Sequence, residues 1–225
     1  PWYPGWKRWG CFCPSPWWWH RGGEQPEIVL EQELEIGADG TVKVEVDTAL
    51  AKAVHSDTDH RYEVTAEVVD ASRRTIVGKG SIIAARKAYQ VSVWLDRGYA
   101  HVGDAITASI AARTADGKHV ETKGKALLYR ISTKDGRVIE TEVKSWEIDT
   151  ANDRNASLKF QAGAAGQYRL SAQMTDTKGR KIEGAILFTV RGDQAVDGTF
   201  QYSDLELVAD KRTYEKGTTV KLLIN

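Results

Sequence analysis

Hydrophobic and polar residues alternate along most of this chain with the period of two that is typical of β-strands. One alternating run extends from Ile28 to Ile36, and another extends from Val42 to Val46. Ala38-Asp39-Gly40 lies between them, and the glycine of an Asp-Gly pair supplies the positive φ that a tight hairpin turn needs. We therefore predict a β-hairpin over residues 28–46.

The same pattern continues toward the end of the chain, with turn signals at intervals of roughly 8 to 20 residues. Asp-Ala-Ser-Arg at 70–73, Asp-Gly at 116–117 and Asp-Gly at 135–136 are three of these signals. Further alternating strands are predicted at residues 62–68, 76–83, 91–95, 106–112, 127–131, 158–160, 168–172 and 182–190. The pattern predicts an all-β fold of tandem antiparallel β-sandwich domains.

Two internal repeats indicate how these strands are grouped. In the first repeat, residues 62–70 align without a gap with residues 168–176, an offset of 106 residues (Tyr62 to Tyr168). In the second repeat, two segments match at an offset of 114 residues (Asp96 to Asp210), where the spacing from Asp to Gly is kept and the Tyr is displaced by one. A period slightly above one hundred residues is typical of serial sandwiches rather than of a solenoid of short repeats.

These repeats predict four parts of the chain. Residues 1–23 form an irregular insertion rich in Trp, Pro and Gly, because that composition prevents regular elements. Residues 24–87 are the closing strands of one sandwich, and residues 88–192 are a complete sandwich. Residues 193–225 are the opening strands of a third. We expect the chain to be a segment of a longer array of such domains.

Composition and charge narrow the range of partners. The chain has 31 basic and 31 acidic residues, so no charge excess predicts a nucleic-acid partner. No apolar run approaches the roughly 18 to 20 residues that cross a bilayer. Its two cysteines, Cys11 and Cys13, do not form the framework of a disulfide-stapled fold.

Few residues carry a pattern that points to chemistry. His55 to His60 brings two His and two Asp together, but the spacing fits no standard metal loop, so we predict a polar loop there. Cys11 and Cys13 with His20 are an incomplete zinc-ligand set, and the two thiols could also pair with each other. The sequence has no G-x-S-x-G, H-E-x-x-H or phosphate-binding motif, so we predict no catalytic residue, no metal site and no cofactor.

The tryptophans are the most unusual feature of the first segment. Three consecutive rings cannot all point inward from one extended stretch, because side chains alternate along it. Exposed aromatic residues at this density mark an interface, with membrane contact or sugar binding as alternatives. Packing of the segment over one end of a sandwich is the other alternative. The candidate interaction patch comprises Trp2, Trp6, Trp9, Trp17, Trp18 and Trp19.

Several stretches resemble the macroglobulin-type (MG) domains of the bacterial alpha-2-macroglobulin family. Tyr62–Gly80 is similar to a closing hairpin of such a domain, and Val91–Tyr99 with Gly103-Asp104 is similar to the opening of the next. Gly166–Leu170 and Leu187–Gly192 are similar to its later strands. Asp204–Leu207 with Asp210 and Tyr214 is similar to the start of a third. The order of these motifs, over about residues 24–225, carries the resemblance.

The resemblance implies a string of seven-stranded sandwiches and a role in broad endopeptidase inhibition. In that family a protease cuts a bait segment, the scaffold rearranges, and the protease is trapped. Neither Cys11 nor Cys13 is followed by the Cys-Gly-Glu-Gln thioester motif, so this stretch is expected to be scaffold. Its implied partners are neighbouring macroglobulin domains and, through other parts of the protein, target proteases.

Two other functions fit the same sequence. One is a surface adhesin or stalk of Ig-like sandwiches, and the other is a sugar-binding module that uses the tryptophans. The resemblance places the chain in the periplasm, at the cell surface or outside a bacterial cell.

Overall fold

The computed structural model describes residues 7–8, 27–54, 59–135, 137–151, 155–192, 207–211 and 213–224. One short helix is present among them, α1 (Ala49–Val54). The strands are β1 (Lys7–Arg8), β2 (His60–Val69), β3 (Thr75–Ala84), β4 (Gln90–Leu95), β5 (Tyr99–His101), β6 (Ala105–Arg113), β7 (Thr122–Lys134), β8 (Arg137–Asp149), β9 (Ala156–Gln161), β10 (Gly166–Asp176), β11 (Lys181–Arg191), β12 (Leu207–Ala209) and β13 (Leu222–Ile224). The predicted all-β class with antiparallel sheets is confirmed.

Strands β4 to β11 form a two-sheet sandwich. One sheet has the order β1–β11–β10–β7–β8, with the short strand β5 also paired in parallel to β11. The other sheet has the order β4–β6–β9. Both sheets contribute to a single hydrophobic core, as antiparallel sheets with one apolar face each are expected to do.

Alternation along each strand decides which side chains enter this core. On β10, Tyr168, Leu170, Ala172 and Met174 are buried in it, and on β4 Val93 and Leu95 meet them from the other sheet. Aromatic rings fill the space near one end of the sandwich. The ring of Phe188 stacks on that of Tyr168 at 5.6 Å between centroids and meets that of Phe160 edge-on at 6.1 Å. Such contacts add to the free energy gained from burial alone.

The described residues divide into two compact units. Residues 27–88 belong to one, and residues 7–8 together with those from Tyr89 onward belong to the other. In the first unit, β2 and β3 pair as an antiparallel hairpin. In the second, β12 and β13 form a short antiparallel ladder beside the sandwich, and Val208 and Leu223 are buried in its core cluster.

The prediction of a hairpin over residues 28–46 is wrong, because the turn forms but the two strands do not. Its turn forms, since the Gly37 N–H donates to the Thr41 carbonyl at 3.0 Å and Gly40 has a φ of 76°. No strand is present over residues 27–48, however. Most of the aliphatic side chains there are exposed, with Ile28 80% accessible, and Val46 is half-buried. Without a sheet packed on that face, alternation alone does not hold a two-stranded ladder together.

Helix α1 was not predicted from the sequence. Ala49-Leu50-Ala51-Lys52-Ala53-Val54 is dominated by residues of high helix propensity. The carboxylate of Asp47 accepts the Ala49 N–H at 2.8 Å, which is a side-chain cap at the start of the helix. Six residues make fewer than two helical turns, so this helix is too short to show a period of 3.6 residues in its sequence.

Candidate interaction surfaces

An aspartate closes the turn between β10 and β11. Its Oδ1 atom accepts the N–H groups of Lys178 at 3.0 Å and Arg180 at 2.8 Å, and its Oδ2 atom accepts the Arg180 Nε–H at 2.7 Å. This residue, Asp176, is 7% exposed. Gly179 occupies the left-handed position of the turn with a φ of 77°. The carboxylate thereby satisfies backbone donors that no strand would pair.

The turn between β2 and β3, which the first repeat aligns with this one, is built in the same way. The Oδ1 atom of Asp70 accepts the N–H groups of Ser72 at 2.8 Å and Arg74 at 3.0 Å, and its Oδ2 atom accepts the Arg74 Nε–H at 2.9 Å. Arg73 stands where Gly179 stands in the later turn and also has a left-handed φ, 61°. The two turns therefore share their geometry, not only their sequence pattern.

Stability of the sandwich should depend on pH through Asp176. Burial by itself would raise the pKa of this carboxyl, but hydrogen bonds from Arg180 and Lys178 hold its pKa below the ordinary value. A lowered pKa in the folded state gives stability that is present above the unfolded pKa of about 3.9 and is lost as pH falls through the folded pKa. We expect Asp176→Asn to be less stable than wild type at neutral pH and to lose less stability on acidification.

Urea unfolding at a series of pH values between about 7 and 2 measures this effect, because it gives the free energy of unfolding at each pH. Glu147→Gln is the control, since Glu147 is an exposed carboxylate whose salt bridge to Lys125 lies on the same sheet. An acid dependence of Asp176→Asn as steep as that of wild type would show that the Asp176 carboxylate is not responsible.

The strand register also repeats between the two hairpins. In the later hairpin Tyr168 lies opposite Phe188, and Leu170 lies opposite Ile186. In the earlier hairpin Tyr62 lies opposite Ile82, and Val64 lies opposite Gly80. All four positions of the later hairpin are displaced from those of the earlier one by the offset of the first repeat. The corresponding side chains therefore lie on the same face of each hairpin.

That shared face is buried in one hairpin and exposed in the other. Leu170 is fully buried in the sandwich core, whereas its equivalent Val64 is 37% exposed. Phe188 is 5% exposed, whereas its equivalent Ile82 is 64% exposed. We call this surface the β2–β3 apolar face; Tyr62 on it is half-buried, and its exposed members are Val64, Ala66, Val68, Ile76, Gly78, Gly80 and Ile82.

The second repeat relates β12–β13 to β4–β6. Asp96 exchanges hydrogen bonds with Thr107, which donates its N–H to the Asp96 carboxylate at 3.0 Å. Asp210 lies in the same relation to Lys221, whose N–H it accepts at 3.3 Å. The glycine of each connection, Gly103 or Gly217, has a φ of 88° or 89°.

In the β12–β13 ladder, as in the β2–β3 hairpin, side chains that correspond to core residues of the sandwich are exposed. Val93 pairs with Ile110 and Leu95 pairs with Ala108 in the sandwich, and all four are buried. The offset of the second repeat relates Val93 to Leu207 and Ala108 to Leu222 in the β12–β13 ladder. Leu207 is 61% exposed and Leu222 is 55% exposed. We call this surface the β12–β13 apolar face; it comprises the exposed Leu207, Leu222 and Ile224, while Ala209 at the fourth position is half-buried and packs against the sandwich core.

A partly buried ionic cluster lies on the outer face of the larger sheet. The Arg169 guanidinium donates to both carboxylate oxygens of Glu140, at 2.5 and 2.6 Å, and to Glu183 at 2.8 Å. It also lies 4.7 Å from the ring centroid of Tyr129, and Ser171 donates to Glu183. The cluster ties β8, β10 and β11 together across β7. Both carboxylates are engaged by this arginine, so the arrangement suits sheet stability rather than acid–base chemistry.

The structure describes few of the residues that the sequence singled out. Trp2, Trp6, Trp9, Trp17, Trp18 and Trp19 lie outside the described residues, as do Cys11, Cys13, His20 and His55. Asp59 is described, and its carboxylate accepts the Arg86 N–H at 2.7 Å. His60 is the first residue of β2. The tryptophan patch therefore stays a prediction.

Within the described ranges of the chain, no group of three or more His, Cys, Asp and Glu side chains is placed to hold a metal ion. In the same residues, no helix is long and apolar enough to cross a membrane.

Comparison with known proteins found no matching family model and no matching curated protein. Among solved structures, the chain is similar to the native conformation of E. coli alpha-2-macroglobulin, at 13% sequence identity and a TM-score of 0.38. That match covers 74% of this chain but only 12% of the E. coli protein.

A second similar structure is the sporulation control protein Spo0M from Bacillus subtilis, at 12% identity and a TM-score of 0.31. It covers 47% of this chain and 50% of Spo0M. This chain thus spans about an eighth of the first structure and half of the second.

Proposed function

We propose that this chain is a scaffold segment of a bacterial alpha-2-macroglobulin-like endopeptidase inhibitor, which traps proteases after they cut a bait segment elsewhere in the protein. The observation that supports this most is that both sequence repeats keep their strand register in the structure. They arrange closing and opening hairpins in the order that the resembling sequence motifs follow. No residue of the segment is given a catalytic role.

The mechanical role of such a segment is to transmit a change of shape. The sandwich core is continuous between its two sheets, and the Arg169 cluster fixes the register of its larger sheet. Val208 and Leu223 also join that core, which couples the β12–β13 ladder to the sandwich. A rigid unit joined to its neighbour by an apolar contact moves as one body when cleavage elsewhere releases the array.

The proposed setting follows from the same function. An inhibitor of this kind meets its proteases in the periplasm, at the cell surface or outside the cell. Its contacts within the protein are to neighbouring macroglobulin domains, while proteases contact parts beyond this segment.

The test uses the full-length protein that contains this segment. After incubation with an endopeptidase, we expect small-angle X-ray scattering to show a more compact molecule. The bound protease should still cleave a small peptide substrate while a large protein substrate is shielded from it. A protease with a blocked active site is the control, since it cannot cut the bait and should leave the shape unchanged.

Cleavage of the large substrate at an undiminished rate would contradict the proposal. Together with an unchanged shape, that result would favour a stalk of Ig-like sandwiches or a sugar-binding module. Loss of glycan binding in Trp17→Ala and Trp18→Ala would then separate the second from the first.

A further inference from the structure

The start of strand β9 presents an asparagine and a serine to solvent on the same side. Side chains alternate along this stretch, so Ala156 and Leu158 pack against the sandwich core and Phe160 is buried in it. Asn155 and Ser157 alternate with them, and both are exposed. Two polar side chains two residues apart therefore lie together on the outer side of the β4–β6–β9 sheet.

These two residues form a recognised acceptor pattern. Asn155-Ala156-Ser157 has a residue other than proline between Asn and Ser, which is the sequence that N-linked glycosylation requires. Asn152, the nearest other asparagine, is followed by Asp and Arg and lacks the pattern. Because so short a pattern acquires meaning only on a surface that an enzyme can reach, its place in the fold decides its use.

The position of β9 in its sheet leaves the acceptor open. In the part of the chain that the structure describes, β9 pairs with β6 and is the end strand of its sheet. Among the same residues, no hydrogen bond engages the side chain of Asn155 or Ser157. An enzyme can therefore contact the amide and the hydroxyl together without unfolding the sandwich.

We propose that Asn155 is an acceptor of N-linked glycosylation, to which an oligosaccharyltransferase transfers an oligosaccharide from a lipid pyrophosphate carrier. The Asn155 Nδ2 atom attacks C1 of the first sugar, and the new Nδ2–C1 bond replaces the bond from C1 to the pyrophosphate oxygen. The lipid pyrophosphate leaves with the electron pair and the amide gives up one proton, so nothing is oxidised or reduced. Ser157 is a positioning residue, because its hydroxyl can hydrogen-bond to the transferase beside the reacting amide.

The oligosaccharide then stands at the start of an edge strand. Edge strands present unpaired N–H and C=O groups that can pair with another chain. A bulky hydrated group at Asn155 hinders that approach to β9, so the modification protects the sandwich from edge-to-edge association. The inference rests on the location outside the cytoplasm that belongs to the proposed function, because this transfer takes place there.

Transfer to the purified, folded chain tests the proposal. The whole chain is incubated with an oligosaccharyltransferase and a lipid-linked oligosaccharide, and intact mass spectrometry records the product. We expect wild type to gain the mass of one oligosaccharide, which peptide mapping places at Asn155. Asn155→Gln and Ser157→Ala should lose this gain, and Ser157→Thr should keep it because the hydroxyl remains.

Ser109→Ala is the matched control. Ser109 lies opposite Ser157 in the ladder of β6 and β9, so its loss removes a neighbouring hydroxyl but leaves the acceptor pattern intact. This variant should be modified to the same extent as wild type. Urea unfolding checks that each variant keeps the stability of wild type, which separates loss of the acceptor from loss of the fold.

Peptide mapping of the natural protein, isolated from the cells that make it, completes the test, and we expect an oligosaccharide on Asn155. An unmodified Asn155 in the natural protein would overturn the proposal. Transfer only to the urea-unfolded chain would also overturn it, as would equal modification of Ser157→Ala and Ser157→Thr. These measurements do not involve protease trapping, so failure of the glycosylation proposal and failure of the proposed function can be told apart.

Discussion

Gly184→Val is expected to destabilise strongly the sandwich formed by residues 89–192. A Cβ atom at this position would lie 2.0 Å from the carbonyl oxygen of Val91 and 2.7 Å from its carbonyl carbon. Both atoms belong to the backbone of β4, which is fixed by its ladder with β6 and cannot move aside alone. We expect a loss of about 3 kcal/mol in the free energy of unfolding, measured by urea titration.

The matched control for this change is Gly78→Val in the equivalent position of β3. Nothing lies within 4 Å of a Cβ there, so the side chain meets no obstacle within the chain. A β-branched residue also suits a strand better than glycine does. The stability of the β2–β3 hairpin should therefore stay the same or rise slightly. Equal tolerance of Val at positions 78 and 184 would refute the close approach of β4 and β11.

Leu170→Ala is expected to destabilise the sandwich by about 3 kcal/mol, because it leaves a cavity in a fully enclosed core. Leu170 has no accessible surface and lies between Leu128 on β7 and Ile186 on β11. Neighbouring side chains belong to ladders on both sides, which limits how far they can relax into the space. Urea unfolding followed by amide NMR signals of β10 measures the loss for this sandwich separately from the other unit.

Val64→Ala is the control at the equivalent position of β2. Because Val64 is 37% exposed, truncation removes little buried surface, and we expect a change below about 1 kcal/mol in the signals of β2. A loss at Val64 as large as that at Leu170 would mean that the β2–β3 apolar face is already covered in the single chain.

Local sequence signals predicted the β2–β3 and β10–β11 hairpins, whereas the long strand β8 was not predicted. Asp70 and Asp176 each follow an alternating strand and supply side-chain oxygens for a turn, so both the strands and their connection can be read from a few adjacent residues. The same holds for the strand that contains Val93 and Leu95, where alternation coincides with burial. The gap-free alignment of the first repeat then identified which positions correspond.

Elements that depend on distant partners were missed. Strand β5 is short and exists because Tyr99, Ala100 and His101 pair in parallel with the end of β11, which lies far later in the chain. The opposite error occurred at residues 28–36, where good alternation has no sheet to pack on. Period-two patterning shows that a strand could form, but the partner decides whether it does.

The ionic cluster of Arg169, Glu140 and Glu183 was also not predicted from the sequence. Arg169 lies 29 residues from Glu140 and 14 residues from Glu183, and only the sheet order brings them together. One signal could have indicated it: Arg169 lies between Tyr168 and Leu170 in a strand that is otherwise poor in charge. A lone arginine at the centre of such a strand needs a partner if the outer face is covered.

Residue-level register is the most direct test of the claim that residues 60–84 repeat the closing hairpin of the following sandwich. Cross-strand NMR contacts between backbone protons report which residues lie opposite each other. We predict Val64 opposite Gly80 and Leu170 opposite Ile186, so that one constant offset relates the two hairpins. A shift of one position in either hairpin would place Val64 and Leu170 on different faces and would contradict the account.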